Sequence, residues 1–260
     1  MGNTSKCVAI AALLMCAAWS ALSWADLPDA IERVAPSIVA VGTAYPPRQP
    51  VKGVDRIVYK GTGFVVGNGN QVVTNKHVLA TQLDRKNQQT HAVFVGSGTA
   101  AQARRARIVV QDPEHDLVVL AFDGEALPPL ELASDPAVRA GQGVAFTGFP
   151  IGMALGLYPV THQGIVSAIT PMAQPATDAG RLTPLQVRRQ RAGYLAYQLD
   201  AVAYPGNSGS PVYDTASGQV IGVLNSVLVK STRESMLSSP TGISYAVPVR
   251  HVHDLLATVQ

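Results

Sequence analysis

The stretch "GTGFVVGNGNQVVTNKHVL", Gly61 to Leu79, holds two β-rich runs, "GFVV" and "QVVTN", joined by Asn68-Gly69 among small polar neighbours. Asn-Gly between apolar runs is the strongest short hairpin signal, because the central residues of a tight hairpin turn need positive φ. Brief apolar runs recur on both sides of it: "SIVAVGTA", "HAVFVG", "ARIVVQD", "DLVVLAF", "QGVAFTGF", "QGIVSAIT", "YLAYQLD", "SPVYD", "QVIGVLNSVL" and "GISYAVPV". Turn chemistry separates them and no helix-length period does, which predicts an all-β barrel or sandwich. Leu27, Ile31 and Val34, at helical spacing before Pro36, predict a short helix feeding the first strand. Val249, Val252, Leu255, Leu256 and Val259 share one face after Pro248 and predict a short amphipathic C-terminal helix.

The chain has 260 residues, 47% hydrophobic and 14% charged, with 23 Gly and 18 Pro, and this composition excludes a mostly disordered protein. Net charge is +3. The clustered basic runs are "RRAR" (Arg104 to Arg107) and "RRQR" (Arg188 to Arg191), and neither sits in a basic helix or among aromatics. They read as solvated loops, and no nucleic-acid partner is expected. "DGEALPPLELASDPAVRAG", Asp123 to Gly141, interrupts the strand series and reads as the crossover between two β-domains, divided as 26–135 and 136–260. The irregular stretch from Thr170 to Gln190 is long for a connection inside a compact domain and reads as an exposed loop.

Residues 1–25 read as a secretory signal peptide: Lys6 as the charged start, an apolar run from Cys7 to Leu22, then Ser23 and Ala25 before a cut at Asp26. The apolar run is short for a bilayer span and no basic stop-transfer cluster follows, so no membrane anchor is expected after cleavage and the destination is periplasmic or secreted. Cys7 and Cys16 are the two cysteines of the chain and both lie in this segment, so no disulfide is expected in the exported protein.

"AVAYPGNSGSPVYD", Ala201 to Asp214, places the Ser208 hydroxyl on a tight Gly-rich bend between apolar flanks. A serine is a poor nucleophile at neutral pH and needs a base to take its proton and a third group to orient that base. His77 closes the β-run "VVTNKHVL", a position that presents a side chain into a cleft, and Asp116 opens "DLVVLAF", where a half-buried carboxylate needs a partner such as an imidazole N–H. Taken singly, each is an ordinary turn or strand-end residue; all three together point to nucleophilic catalysis.

"GTGFVV", "VVTNKHVL", "HDLVVLAF", "QGIVSAI", "DAVAYPGNSGSPV", "VIGVLNS" and "GISYAVPV" resemble, in order and spacing, the trypsin-like serine endopeptidases, most of all their HtrA branch. The resemblance covers the chain from about Asp26 to the final helix. It implies two six-stranded antiparallel β-barrels with the active site between them, here with short N- and C-terminal helices. It implies His77 as general base, Asp116 as its orienting carboxylate and Ser208 as nucleophile, with the N–H groups of Gly206 and Ser208 forming the oxyanion hole. The expected function is a secreted endopeptidase working through an acyl-enzyme on polypeptide substrates, with no metal and no cofactor. Val202, six residues before the serine, falls at the base of the primary specificity pocket and implies an aliphatic preference. Leu224, Asn225 and Ser226 would pair with extended substrate as an added strand. Asp200 reads as structural.

Some residues depart from the family pattern. Ser210 replaces a glycine, Pro205 removes an N–H beside the oxyanion loop, and Asn207 stands where digestive proteases carry an aspartate that pairs with a freshly cut N-terminus. The chain reaches Gln260 about where HtrA proteins begin a PDZ domain, so none is expected. The alternative reading is a latent protease-like module that binds peptides without turnover. An α/β-hydrolase reading, with His251 or His253 as base, lacks the second glycine of G-x-S-x-G. A metal role for His251 and His253 is disfavoured, because helical positions i and i+2 point apart.

Overall fold

The computed structural model describes residues 27–47, 55–134, 137–150, 156–172, 194–225 and 242–259. Residues 1–25, read above as a leader, "RRQR", most of the stretch from Thr170 to Gln190, and Ser226 lie outside the described residues. Strands β1 (Ile38–Ala44), β2 (Ile57–Val66), β3 (Gln71–Asn75), β4 (Thr90–Val95), β5 (Gln102–Asp112) and β6 (Leu117–Phe122) close into an antiparallel barrel in the order β1-β2-β3-β6-β5-β4. Strands β7 (Gly143–Gly148), β8 (Val160–Pro171), β9 (Leu195–Asp200), β10 (Pro211–Asp214), β11 (Val220–Asn225) and β12 (Ile243–Pro248) close a second barrel in the order β7-β8-β9-β12-β11-β10. The second order repeats the first strand for strand, so the two barrels share a topology.

The Asn68-Gly69 turn joins β2 to β3 as its sequence predicts, with Phe64 opposite Val73 and Val66 opposite Gln71. Helix α1 (Leu27–Val34) buries Ala30 and Val34, carries Asp29 in its first turn and Arg33 in its last, and gives way at Pro36 to a short 3-10 turn leading into β1. That charge order suits the helix dipole. Helix α2 (Arg250–Ala257) follows Pro248 and buries Val252 and Leu255; Val259, expected on the same face, is largely exposed beyond its end.

One buried cluster belongs wholly to the first barrel, with Val39, Val65, Val93, Val118 and Leu120 among its members. The larger one runs from α1 through Phe64 and Phe94 into the second barrel at Phe146, Leu199 and Val223, and on to α2. Burying each of these phenylalanines contributes roughly 1.5–3 kcal/mol, so this continuous core is what fixes one barrel against the other. The crossover ties both barrels by its main chain: the N–H groups of Leu127 and Leu130 donate to the Gly69 and Val65 carbonyls, and Leu132 forms a parallel bridge with Val220, in which the Ala133 N–H donates to the Val220 carbonyl and the Val220 N–H to the Glu131 carbonyl. "RRAR" is a correction to the loop reading. It lies inside β5, where the Arg104 guanidinium packs over the Phe122 ring and donates to the Glu125 carbonyl. The aliphatic stem and planar head of arginine cover apolar surface while keeping the charge hydrogen-bonded, so a basic run is compatible with a barrel strand.

Candidate active site

His77 sits in the 3-10 turn Lys76–Val78 that directly follows β3. Asp116 ends the turn between β5 and β6, in the left-handed region at φ 55. That backbone turns its carboxylate toward the end of β3. Asp116 Oδ1 accepts the His77 backbone N–H at 3.0 Å, and Oδ2 meets His77 Nδ1 at 2.5 Å. The Asp116 carbonyl accepts from the Lys76 N–H at 2.9 Å and from Asn75 Nδ2 at 3.2 Å. Carboxylate oxygens only accept, so the imidazole donates from Nδ1, and in the neutral ring the lone pair is on Nε2.

Ser208 reaches the same place from the second barrel. Its loop turns on Gly206 at φ 101 and Gly209 at φ 86, values that only glycine adopts without strain. The loop is internally tied, Asn207 N–H to the Tyr204 carbonyl and Ser210 N–H to the Asn207 carbonyl, both at 3.0 Å. It is also clasped by the first barrel. The Thr62 N–H donates to the Ser208 carbonyl at 2.9 Å; Thr62 Oγ1 donates to the Gly206 carbonyl at 2.7 Å and accepts the Phe149 N–H at 3.0 Å. Gly61 is wedged between Val78, next to His77, and the Ser208 carbonyl: a Cβ there would lie 2.7 Å from one and 2.9 Å from the other. A Cβ on Gly209 would fall 2.1 Å from the Thr62 carbonyl oxygen. These close approaches bring His77, Asp116 and Ser208 to one seam between the barrels. Among the described residues, no hydrogen bond is made by the Gly206 N–H.

A model of the trypsin-like peptidase domain matches residues 61–223, the span that carries all three residues. The chain belongs to the trypsin-like peptidase family. Two HtrA- and DegP-like relatives illustrate the likeness. A probable periplasmic DegP-like serine endoprotease of Pseudomonas fluorescens is 30% identical over 73% of this chain and 32% of its own length. Serine protease HTR4 of Bos taurus is 30% identical over 93% of this chain and 43% of its own. The chain therefore spans a third to under half the length of these relatives. The crystal structure of a serine endoprotease from Yersinia pestis matches in fold, with a TM-score of 0.60 at 22% identity, covering 90% of this chain and 66% of that one.

The substrate-facing residues read from the sequence of this peptidase-family chain fall in different places. Val202 is half-buried on the approach to the Ser208 loop. Leu224 is fully buried, and its main chain is taken by that loop: its N–H donates to the Ser210 carbonyl and its carbonyl accepts from the Gly209 N–H, both at 2.9 Å. Both main-chain groups of Leu224 thus already hold the Ser208 loop. Asn225 is buried, and its Nδ2 donates to Asp116 Oδ2 at 2.9 Å, so it reaches across the seam to the carboxylate. Asp200 is exposed at the end of β9. His251 and His253 diverge as expected: His251 stacks on His115, while His253 Nε2 lies 3.0 Å from the Ala133 carbonyl.

Sequence reasoning missed Thr62, although it stands in the quoted "GTGF". A threonine inside a strand carries no signal of its own; its hydroxyl matters only because the other barrel supplies the Gly206 carbonyl and the Phe149 N–H. Beneath the loop, Asn207 and Ser210 are fully buried, and neither the Asn207 amide nor the Ser210 hydroxyl has a hydrogen-bond partner among the described residues.

Proposed function

We propose that this chain is an exported serine endopeptidase that hydrolyses peptide bonds in extended or unfolded polypeptide through an acyl-enzyme. The observation that carries this reading is the carboxylate of Asp116 bound at once by the backbone and the imidazole of His77 and by Asn225. It fixes the ring with Nε2 as the free base. His77 takes the Ser208 proton as Oγ attacks the scissile carbonyl, and Asp116 stabilises the imidazolium that forms. The N–H groups of Gly206 and Ser208 receive the charge that develops on the carbonyl oxygen. His77 then returns the proton to the leaving amine, and water, activated by the same base, releases the acyl group.

Val202 gives the primary pocket an apolar base and selects aliphatic residues before the scissile bond, and Asn225 and Ser226 remain as the candidates for binding the substrate main chain. The leader of residues 1–25 directs the protein to the periplasm or beyond, in keeping with the periplasmic naming of the Pseudomonas relative. The alternative, a peptide-binding module without turnover, draws on the orphaned Asn207 amide beneath the oxyanion loop.

A random peptide library and an unfolded protein substrate test both readings. Cleavage after aliphatic residues, abolished in Ser208→Ala, is expected. Cleavage mainly after Arg or Lys would remove the pocket assignment, and binding of unfolded protein without products would favour the module.

A further inference from the structure

Asp116 is a non-glycine residue in the left-handed region, so its turn must be held by what surrounds it. Part of the support is local. Asp112 Oδ1 accepts the N–H groups of Glu114 at 2.9 Å and His115 at 3.2 Å, and Asp112 Oδ2 meets His115 Nδ1 at 2.5 Å. The rest comes from the second barrel. The His251 ring, on α2, stacks on His115 with centroids 3.7 Å apart and 19° between planes. Tyr194, just before β9, sets its ring edge-on to both, at 4.8 Å from His115 and 5.5 Å from His251. The residue next to the carboxylate that orients His77 is thus gripped by an aromatic pair from the opposite barrel.

We propose that His251 is a positioning residue for catalysis: stacked on His115, it holds the Asp112–Asp116 turn in the conformation that presents the Asp116 carboxylate to His77. The proposal rests on the protease reading of the site. The stack requires a neutral partner, because two charged imidazoles at this distance repel. The groups facing His251 are His115 and Asp112 from the turn, Tyr194 from the second barrel, and Arg250 and Asp254 on its own helix. Burial, then His115 and Arg250, hold His251 down to about 4, against smaller opposing effects of Asp254 and Asp112, so the ring is neutral at pH 7. Burial, with Asp116 and Asp112, pushes Tyr194 up to about 12, so it too carries no charge. Two neutral rings then clamp His115 while its Nδ1 stays on Asp112. Through this contact, the orientation of Asp116 and His77 on the first barrel depends on where the C-terminal helix sits.

The test compares the full chain with His251→Leu, which keeps bulk without a ring face, and His251→Phe, which keeps the face without a titrating group. The readouts are kcat and KM on a fluorogenic peptide with an aliphatic residue before the scissile bond, the rate of fluorophosphonate labelling, and the deshielded Nδ1–H proton of His77 by NMR. Expected for the leucine variant is a fall of about tenfold in kcat and in labelling rate, with KM unchanged. Its His77 proton signal should broaden or shift while the melting curve remains cooperative. The phenylalanine variant should recover most of the rate and the signal. Wild-type rates in both variants, or equal losses in both, would overturn the proposal. Failure of the wild type itself to be labelled would instead remove the protease reading on which it stands.

Discussion

Two turns meet at the seam, and they reach unusual backbone conformations by opposite means. The Ser208 loop uses glycine at both positive-φ positions, Gly206 and Gly209, and is fastened by main-chain bonds to Thr62 and Leu224. The aspartate turn puts a charged residue, Asp116, at φ 55 and is fastened by side chains: Asp112, His115, His251, Asn75 and Asn225. The first turn encodes its shape in residue type, whereas the second borrows it from tertiary contacts. The loop should therefore fail when one glycine is lost, and the aspartate turn should tolerate changes at Asp116 structurally while losing function.

The sharpest contrast is the pair Asp116→Asn and Gly209→Ala. Asparagine is at ease in the left-handed region, so Asp116→Asn should fold as the wild type while kcat falls by about 10⁴-fold, because the imidazole loses its tautomer and its counter-charge. Steady-state kinetics beside a thermal melt checks this; a large loss of stability would mean that the carboxylate also holds the turn. Gly209→Ala should do the reverse. Its methyl would press on the Thr62 carbonyl, costing more than about 3 kcal/mol in denaturant unfolding, and near wild-type stability would show the loop less dependent on glycine than argued.

Acid probes the side-chain fastening. Burial lowers His251, and lowers His91 and His162 in the same direction. A histidine whose folded pKa lies below its unfolded one stabilises the protein above the unfolded value and loses that contribution as pH falls toward the folded one. Stability should therefore decline between pH 6.5 and about 4, and His251→Phe should flatten part of the decline. An unchanged slope in that variant would place the titration elsewhere. The smallest effect is expected at Ser210, whose buried hydroxyl has no partner among the described residues. Ser210→Ala should raise stability by ~1 kcal/mol, since the desolvation cost of an unpaired hydroxyl is removed.

The same comparison accounts for what could be read in advance. The all-β class followed from the spacing of short apolar runs, and the hairpin from Asn68-Gly69, although the positive φ values of that turn fall at Gly67 and Gly69 and not at Asn68. Ser208 stood out because a Gly-rich bend declares itself locally. The aspartate turn did not declare itself: Asp116 was identifiable by its place before "LVVLAF", but its left-handed backbone and the His115–His251 stack depend on residues far apart in the chain. Thr62 and Asn225 were opaque for that reason too, each side chain having its partner on the other barrel. "RRAR" was misread because charge alone does not say whether an arginine stem covers an aromatic ring.

The most direct measurement is intact-mass spectrometry of the purified protein before and after treatment with a fluorophosphonate, with His77→Ala and Ser208→Ala in parallel. A single adduct on the wild type, absent from both variants, is expected if Asp116, His77 and Ser208 act as one unit across the seam. An unmodified wild type in the presence of unfolded protein substrate, or an adduct that persists in Ser208→Ala, would contradict it.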